Sequence, residues 1–76
     1  MERTPLTADR VRADVADVLS VPPGELDEDL RLIDQGMDSI RMMTLVERWR
    51  ADGADVTFVD LAEGPTVAEW VALLGR

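Results

Sequence analysis

The segment Ser20-Val21-Pro22-Pro23-Gly24 constrains the fold more than any other stretch of this chain. Paired prolines and a glycine cannot continue a helix, because proline lacks an amide hydrogen and its ring clashes with the preceding turn. Upstream, Val11, Val15, Val18 and Leu19 recur at i, i+4, i+7 and i+8. That spacing predicts a helix from about Ala8 to Ser20, with Thr7 as N-cap. Downstream, a connection of roughly 17 residues, Val21 to Met37, precedes the next helical pattern. A connection that long packs by its own side chains or carries function. Leu26, Leu30, Leu32 and Ile33 are expected to plug into the core while the acids between them stay wet. A short helical turn is expected near Asp29–Ile33.

The second helix is predicted from Ser39 to about Arg50, capped by Asp38. Met42, Leu45, Val46 and Trp49 form one complete core face, at i, i+3, i+4 and i+7. Ile40 and Met43 form a second stripe, well over 90° around the helix at ~100° per residue. Ala51 to Asp55 is a turn. Val56 to Ala62 is short and apolar; a helix of one or two turns from Thr57 or Phe58 to Ala62 is favoured over a strand, which would have no partner. Glu63-Gly64-Pro65 breaks the chain. Thr66-Val67-Ala68-Glu69 then reads as a capping box, opening a last helix with Val67, Trp70, Val71 and Leu74 on one face. The expectation is all-α: three main helices, a short third one, and a long first loop.

Composition narrows the function. The chain has 76 residues, enough for one thin core but not for a deep catalytic cleft. Sixteen Asp and Glu against eight Arg, and no Lys, leave a formal net charge of −8. Nucleic-acid binders neutralise phosphates with basic residues, so that class is set aside. An acidic surface suits partners with basic docking sites. Without cysteine there is no disulfide, no thiolate zinc site and no thiol of the protein's own. Asp27-Glu28-Asp29 lacks the glycine and spacing of a calcium loop, so no metal site is expected. Met1-Glu2-Arg3 is not followed by the apolar run of a signal peptide, and no apolar stretch reaches the roughly 20 residues that span a bilayer. The expected compartment is the cytoplasm. Met1 and the lack of a linker favour a free-standing protein over an excised domain.

One residue draws attention chemically. Ser39 puts a primary hydroxyl at a helix start, next to a loop. A nucleophilic serine needs a base to take its proton, and the chain has neither histidine nor lysine. Self-contained catalysis is therefore not expected; another protein must supply the catalyst. Asp-Ser alone would be an ordinary helix start.

The longer string reads differently. Leu32-Ile33-Asp34, then Gly36-Met37-Asp38-Ser39-Ile40, resembles the phosphopantetheine attachment site of acyl, peptidyl and aryl carrier proteins. The resemblance covers about Thr7 to Leu74, and residues 1–76 read as a single carrier domain. It implies a four-helix carrier bundle in which a phosphopantetheinyl transferase, with Mg²⁺ and coenzyme A, joins 4'-phosphopantetheine to Ser39. It also implies that Gly36 gives the loop freedom to present Ser39, and that Asp38 caps the helix or contacts the transferase. The arm would bring the missing thiol.

Many peptidyl carriers have His before the attachment serine, where this chain has Asp38. Ser39-Ile40-Arg41-Met42-Met43 and Arg48-Trp49-Arg50, with Val56-Thr57-Phe58, Leu61-Ala62 and Trp70, are similar to aryl carrier proteins. Gln35 departs from that pattern, since close aryl carriers often have an aromatic there. The resemblance implies an aryl thioester, loaded by an aryl-acid adenylation enzyme and passed to a condensation or other acyl-accepting domain in siderophore-type nonribosomal synthesis. The protein would act as a non-catalytic monomer. The resemblance implies a partner patch of Ile40, Met43, Phe58 and Ala62, since matching positions in aryl carriers contribute to recognition by downstream partners. The alternative is that all four are core; for Ile40 and Met43 the complete core face of the second helix favours the patch. Arg41 is expected to point to solvent near the arm, where it could meet an acidic partner group or the phosphate. Trp49 and Trp70 are expected in the core. The alternatives are an acyl or peptidyl carrier of another pathway, or an acidic helical interaction module that is never modified.

Overall fold

The computed structural model describes residues 6–74. Its elements are α1 (Ala8–Leu19), α2 (Ser39–Ala51), α3 (Phe58–Glu63) and α4 (Val67–Leu74), with 3-10 turns at Pro23–Glu25 and Leu32–Gln35. This is the all-helical bundle expected from the sequence.

Thr7 caps α1: its hydroxyl accepts from the Arg10 amide at 3.0 Å. The helix stops one residue before Ser20, which adopts a left-handed φ of 59°. The Ser20 amide donates to the Asp17 carbonyl and the Val21 amide to the Ala16 carbonyl, at 3.1 and 3.0 Å. That pair of bonds is a Schellman ending, and the prolines beyond forbid another turn.

α1 packs on α2 and α4, and α2 packs on α3. The core combines Val11 and Val15 with Leu45, Val46, Trp49, Val56, Leu61, Val67 and Trp70. The two indoles meet edge to face, 6.2 Å between centroids and 86° between planes. Both have buried N–H groups that find acceptors, as burial of a polar atom demands. Trp49 Nε1 donates to Asp14 of α1 at 2.8 Å. Trp70 Nε1 donates to the Leu61 and Gly64 carbonyls at the end of α3. Gly64 eases that approach, since a Cβ there would lie a tight 3.2 Å from Trp70 Cδ1.

The short third element is a helix, and a capping box defines its start. The Asp60 amide donates to Thr57 Oγ1 at 3.2 Å, and the Thr57 amide donates to the Asp60 carboxylate at 3.0 Å. Before α4, only half of the expected box forms: the Glu69 amide donates to Thr66 Oγ1 at 3.3 Å.

The long connection departs from expectation in two ways. Its second helical turn lies at Leu32–Gln35, later than Asp29–Ile33. Of its four aliphatics, Leu32 is buried and Leu26 partly so, but Leu30 is exposed and Ile33 is 67% exposed. The cause is backbone pinning. The Leu32 amide donates to the Pro65 carbonyl at 2.8 Å and the Ala68 amide to the Glu28 carbonyl at 3.2 Å. These bonds fix which side chains face inward, and Met37 takes a core place instead, at 4% exposure. Gln35 closes the loop on itself. Its amide nitrogen donates to the Asp27 and Leu30 carbonyls, and its carbonyl accepts from the Asp27 amide. The departure from the aryl-carrier pattern thus has a structural role here.

Candidate functional site

Ser39 is the first residue of α2 and is exposed. Its position follows from the three residues before it. The Leu32–Gln35 turn ends at Gly36, whose φ of 103° is left-handed and disfavours any residue with a Cβ. Gly36 therefore holds a specific bend rather than leaving the loop free. The chain then runs through buried Met37 to Asp38, whose carboxylate caps α2 by accepting from the Arg41 amide at 2.8 Å. Among the described residues the Ser39 hydroxyl makes no hydrogen bond, and the residue is open to solvent.

The electrostatics are local. Hydrogen bonding from the Arg41 amide holds the Asp38 carboxyl below its ordinary value, and the nearby guanidinium adds to the effect. Arg41 is half-exposed, and its guanidinium is also engaged within the chain: its Nε donates to the Val18 carbonyl at 3.0 Å, and its NH1 donates to the Asp38 carboxylate.

Beside Ser39 lies an open groove of roughly 500 Å³. Leu32, Ile33, Met37, Met42, Leu61 and Trp70 give it apolar walls, while Asp38, Ser39 and Arg31 supply polar groups.

The expected patch divides. Ile40 is 79% exposed and Met43 42% exposed on α2. Ala62 is exposed on α3, but Phe58 is mostly buried and packs against the core. Val59 on α3 is a further exposed apolar residue beside them. Helix geometry accounts for it: Leu61 is the buried residue of a six-residue helix, and Val59 lies two positions away, about 200° around the axis.

The family described as "Phosphopantetheine attachment site" matches residues 9–74. The chain belongs to this family. Its cofactor is covalently attached 4'-phosphopantetheine, and the protein is a phosphopantetheine carrier. The carrier is 47% identical over 70 residues to the acyl carrier protein ScoB of Streptomyces coeruleorubidus, covering 92% of this chain and 82% of that one. It is 48% identical over 68 residues to an isochorismatase of Bacillus subtilis, covering 90% of this chain and 22% of that protein. It is 48% identical over 76 residues to phenyloxazoline synthase MbtB of Mycobacterium sp. (strain MCS), covering 100% of this chain and 6% of that protein. The carrier thus spans only a small part of the last two.

The site suits the cofactor on physical grounds. An exposed hydroxyl with no hydrogen-bond partner among the described residues can take a phosphodiester without breaking internal structure. The first turn of a 13-residue helix favours the added negative charge. Once attached, the arm supplies a terminal thiol, which the chain lacks. Among the described residues no helix is long and apolar enough to cross a membrane.

Proposed function

We propose that this chain is an aryl carrier protein with its 4'-phosphopantetheine arm on Ser39. The carrying observation is the free, exposed Ser39 hydroxyl that opens α2 directly after the Asp38 cap. In the loading step Ser39 Oγ attacks the β-phosphorus of coenzyme A. The new P–O bond forms as the pyrophosphate bond breaks, 3',5'-adenosine bisphosphate leaves, and a base of the transferase takes the serine proton. The chain offers no histidine or lysine for that last role, which supports a substrate rather than an enzyme.

The aryl reading rests on the Ser39–Met43 and Arg48–Arg50 strings and on similarity to a protein named phenyloxazoline synthase. In this reading an adenylation enzyme loads an aryl acid as a thioester, and a condensation or other acyl-accepting domain removes it. Residues 1–76 act as one monomeric, non-catalytic carrier domain in the cytoplasm, serving siderophore-type nonribosomal synthesis. Ile40, Met43, Phe58 and Ala62, together with Val59, meet the downstream partner. Tethering raises the acyl group's effective concentration at each active site. A non-aryl acyl carrier is the second reading, favoured by the match along most of an acyl carrier protein.

The test is loading. Treatment with coenzyme A and a promiscuous transferase should add one phosphopantetheine mass to the wild type and none to Ser39→Ala. The modified protein, offered a panel of aryl and aliphatic acids with matching adenylation enzymes, should accept aryl acids best. Preferential aliphatic loading would favour the second reading.

A further inference from the structure

The attachment position carries an apparent conflict. A phosphodiester on Ser39 would sit next to the Asp38 carboxylate, in a chain of net charge −8. Like charges this close oppose each other unless a cation stands between them. α1 has a complementary gap. Its own last turn carries no basic residue, although the carbonyl end of a helix favours a cation.

One side chain answers both. Arg41 reaches back from the first turn of α2 and donates through Nε to the Val18 carbonyl, 3.0 Å away. Val18 is in the last turn of α1, where carbonyls lack intrahelical donors. Through NH1 it pairs with Asp38, whose other oxygen accepts from the Arg41 amide. A guanidinium can serve two acceptors on different elements through its fixed fork, whereas a lysine ammonium is a point charge with no such fork. Arg31 also lines the groove beside Ser39.

We propose that Arg41 is a positioning residue for the attachment serine, cancelling the Asp38 charge and tying the start of α2 to the end of α1 so that Ser39 can receive an anionic phosphate. The proposal rests on Ser39 being the attachment residue. It assigns Arg41 an intramolecular role in place of direct contact with a partner or the phosphate.

The test compares wild type, Arg41→Gln, Arg41→Lys, Asp38→Asn and the double variant Asp38→Asn/Arg41→Gln. Asn retains capping ability, so the Asp38 change removes charge and little else. Two readouts are used. The first is the Asp38 carboxyl titration, followed by NMR in the unmodified protein. Its midpoint should rise in Arg41→Gln and rise less in Arg41→Lys. The second is kcat/KM for phosphopantetheine transfer from coenzyme A. Arg41→Gln should lower it about two- to fivefold, the scale of a half-exposed ion pair, and the double variant should return to within twofold of wild type. A double variant as slow as Arg41→Gln would overturn the proposal and make Arg41 a transferase contact. An unmoved Asp38 midpoint would overturn it independently of any transfer. If the wild type gains no mass at all, the attachment reading fails instead, and the NMR result still decides whether Arg41 masks Asp38.

Discussion

The two ends of α2 are built on opposite principles. At the C-terminal end, Leu45, Val46 and Trp49 are buried, and the polar groups around them are paired within the chain. Trp49 Nε1 donates to Asp14, and Arg48 contacts both Asp14 and Asp17. At the N-terminal end, Ser39 and Ile40 are exposed, and apolar walls open into a groove. One helix therefore combines a core strut with an exposed, partly apolar end. The strut half makes the exposed half affordable, because burial of apolar area stabilises the domain regardless of what the other end displays.

Substitutions at the two ends should separate stability from function. The largest contrast is Ser39→Ala. Phosphopantetheine incorporation should be lost completely while the thermal midpoint stays within a degree or two, read by intact mass and by circular dichroism. At the other end, Trp49→Ala should cost about 3–5 kcal/mol, measured by urea denaturation. In a domain this small that is most of the folding free energy, so unfolding should precede any change in chemistry. Gly36→Ala should cost about 1–2 kcal/mol, because its φ of 103° is strained for any side chain. It should also slow modification, since that bend aims Ser39.

Met43→Asp tests the exposed stripe more gently. Helix content and melting should be unchanged, while acyl transfer to the downstream partner falls several-fold; outright unfolding would mean that Met43 is core. Phe58→Asp should differ, losing both transfer and stability, because Phe58 packs against the core.

The smallest effect concerns pH. The folded Asp38 carboxyl lies below its ordinary value of 3.8. Its contribution is therefore fully present above that value and is lost as pH falls through the lower folded value. In Asp38→Asn the acid-side decline in stability should be slightly shallower, seen in melts across the acidic range.

The helices were legible because their apolar spacing is periodic. Val11 and Val15, Leu45 and Trp49, and Val67 and Trp70 all reach the core as that spacing predicts. The Asp38 cap and the Ser39 start were legible for a related reason: capping depends on residues three positions apart. The long loop was not, because irregular backbone has no period. Nothing in Leu30-Arg31-Leu32-Ile33 alone says that only Leu32 turns inward; the bond to Pro65 decides it. The α3 capping box was hidden because Asp60 replaces the usual Glu or Gln. Arg41's clamp joins Val18 across the whole first loop, beyond the reach of any local rule.

The most direct test of the account is tandem mass spectrometry of the protein after treatment with coenzyme A and a phosphopantetheinyl transferase. The account predicts one added phosphopantetheine, located on the fragment that contains Ser39 and absent from Ser39→Ala, with unchanged melting of the unmodified variant. An unchanged wild-type mass with several competent transferases would contradict it, as would modification that survives in Ser39→Ala.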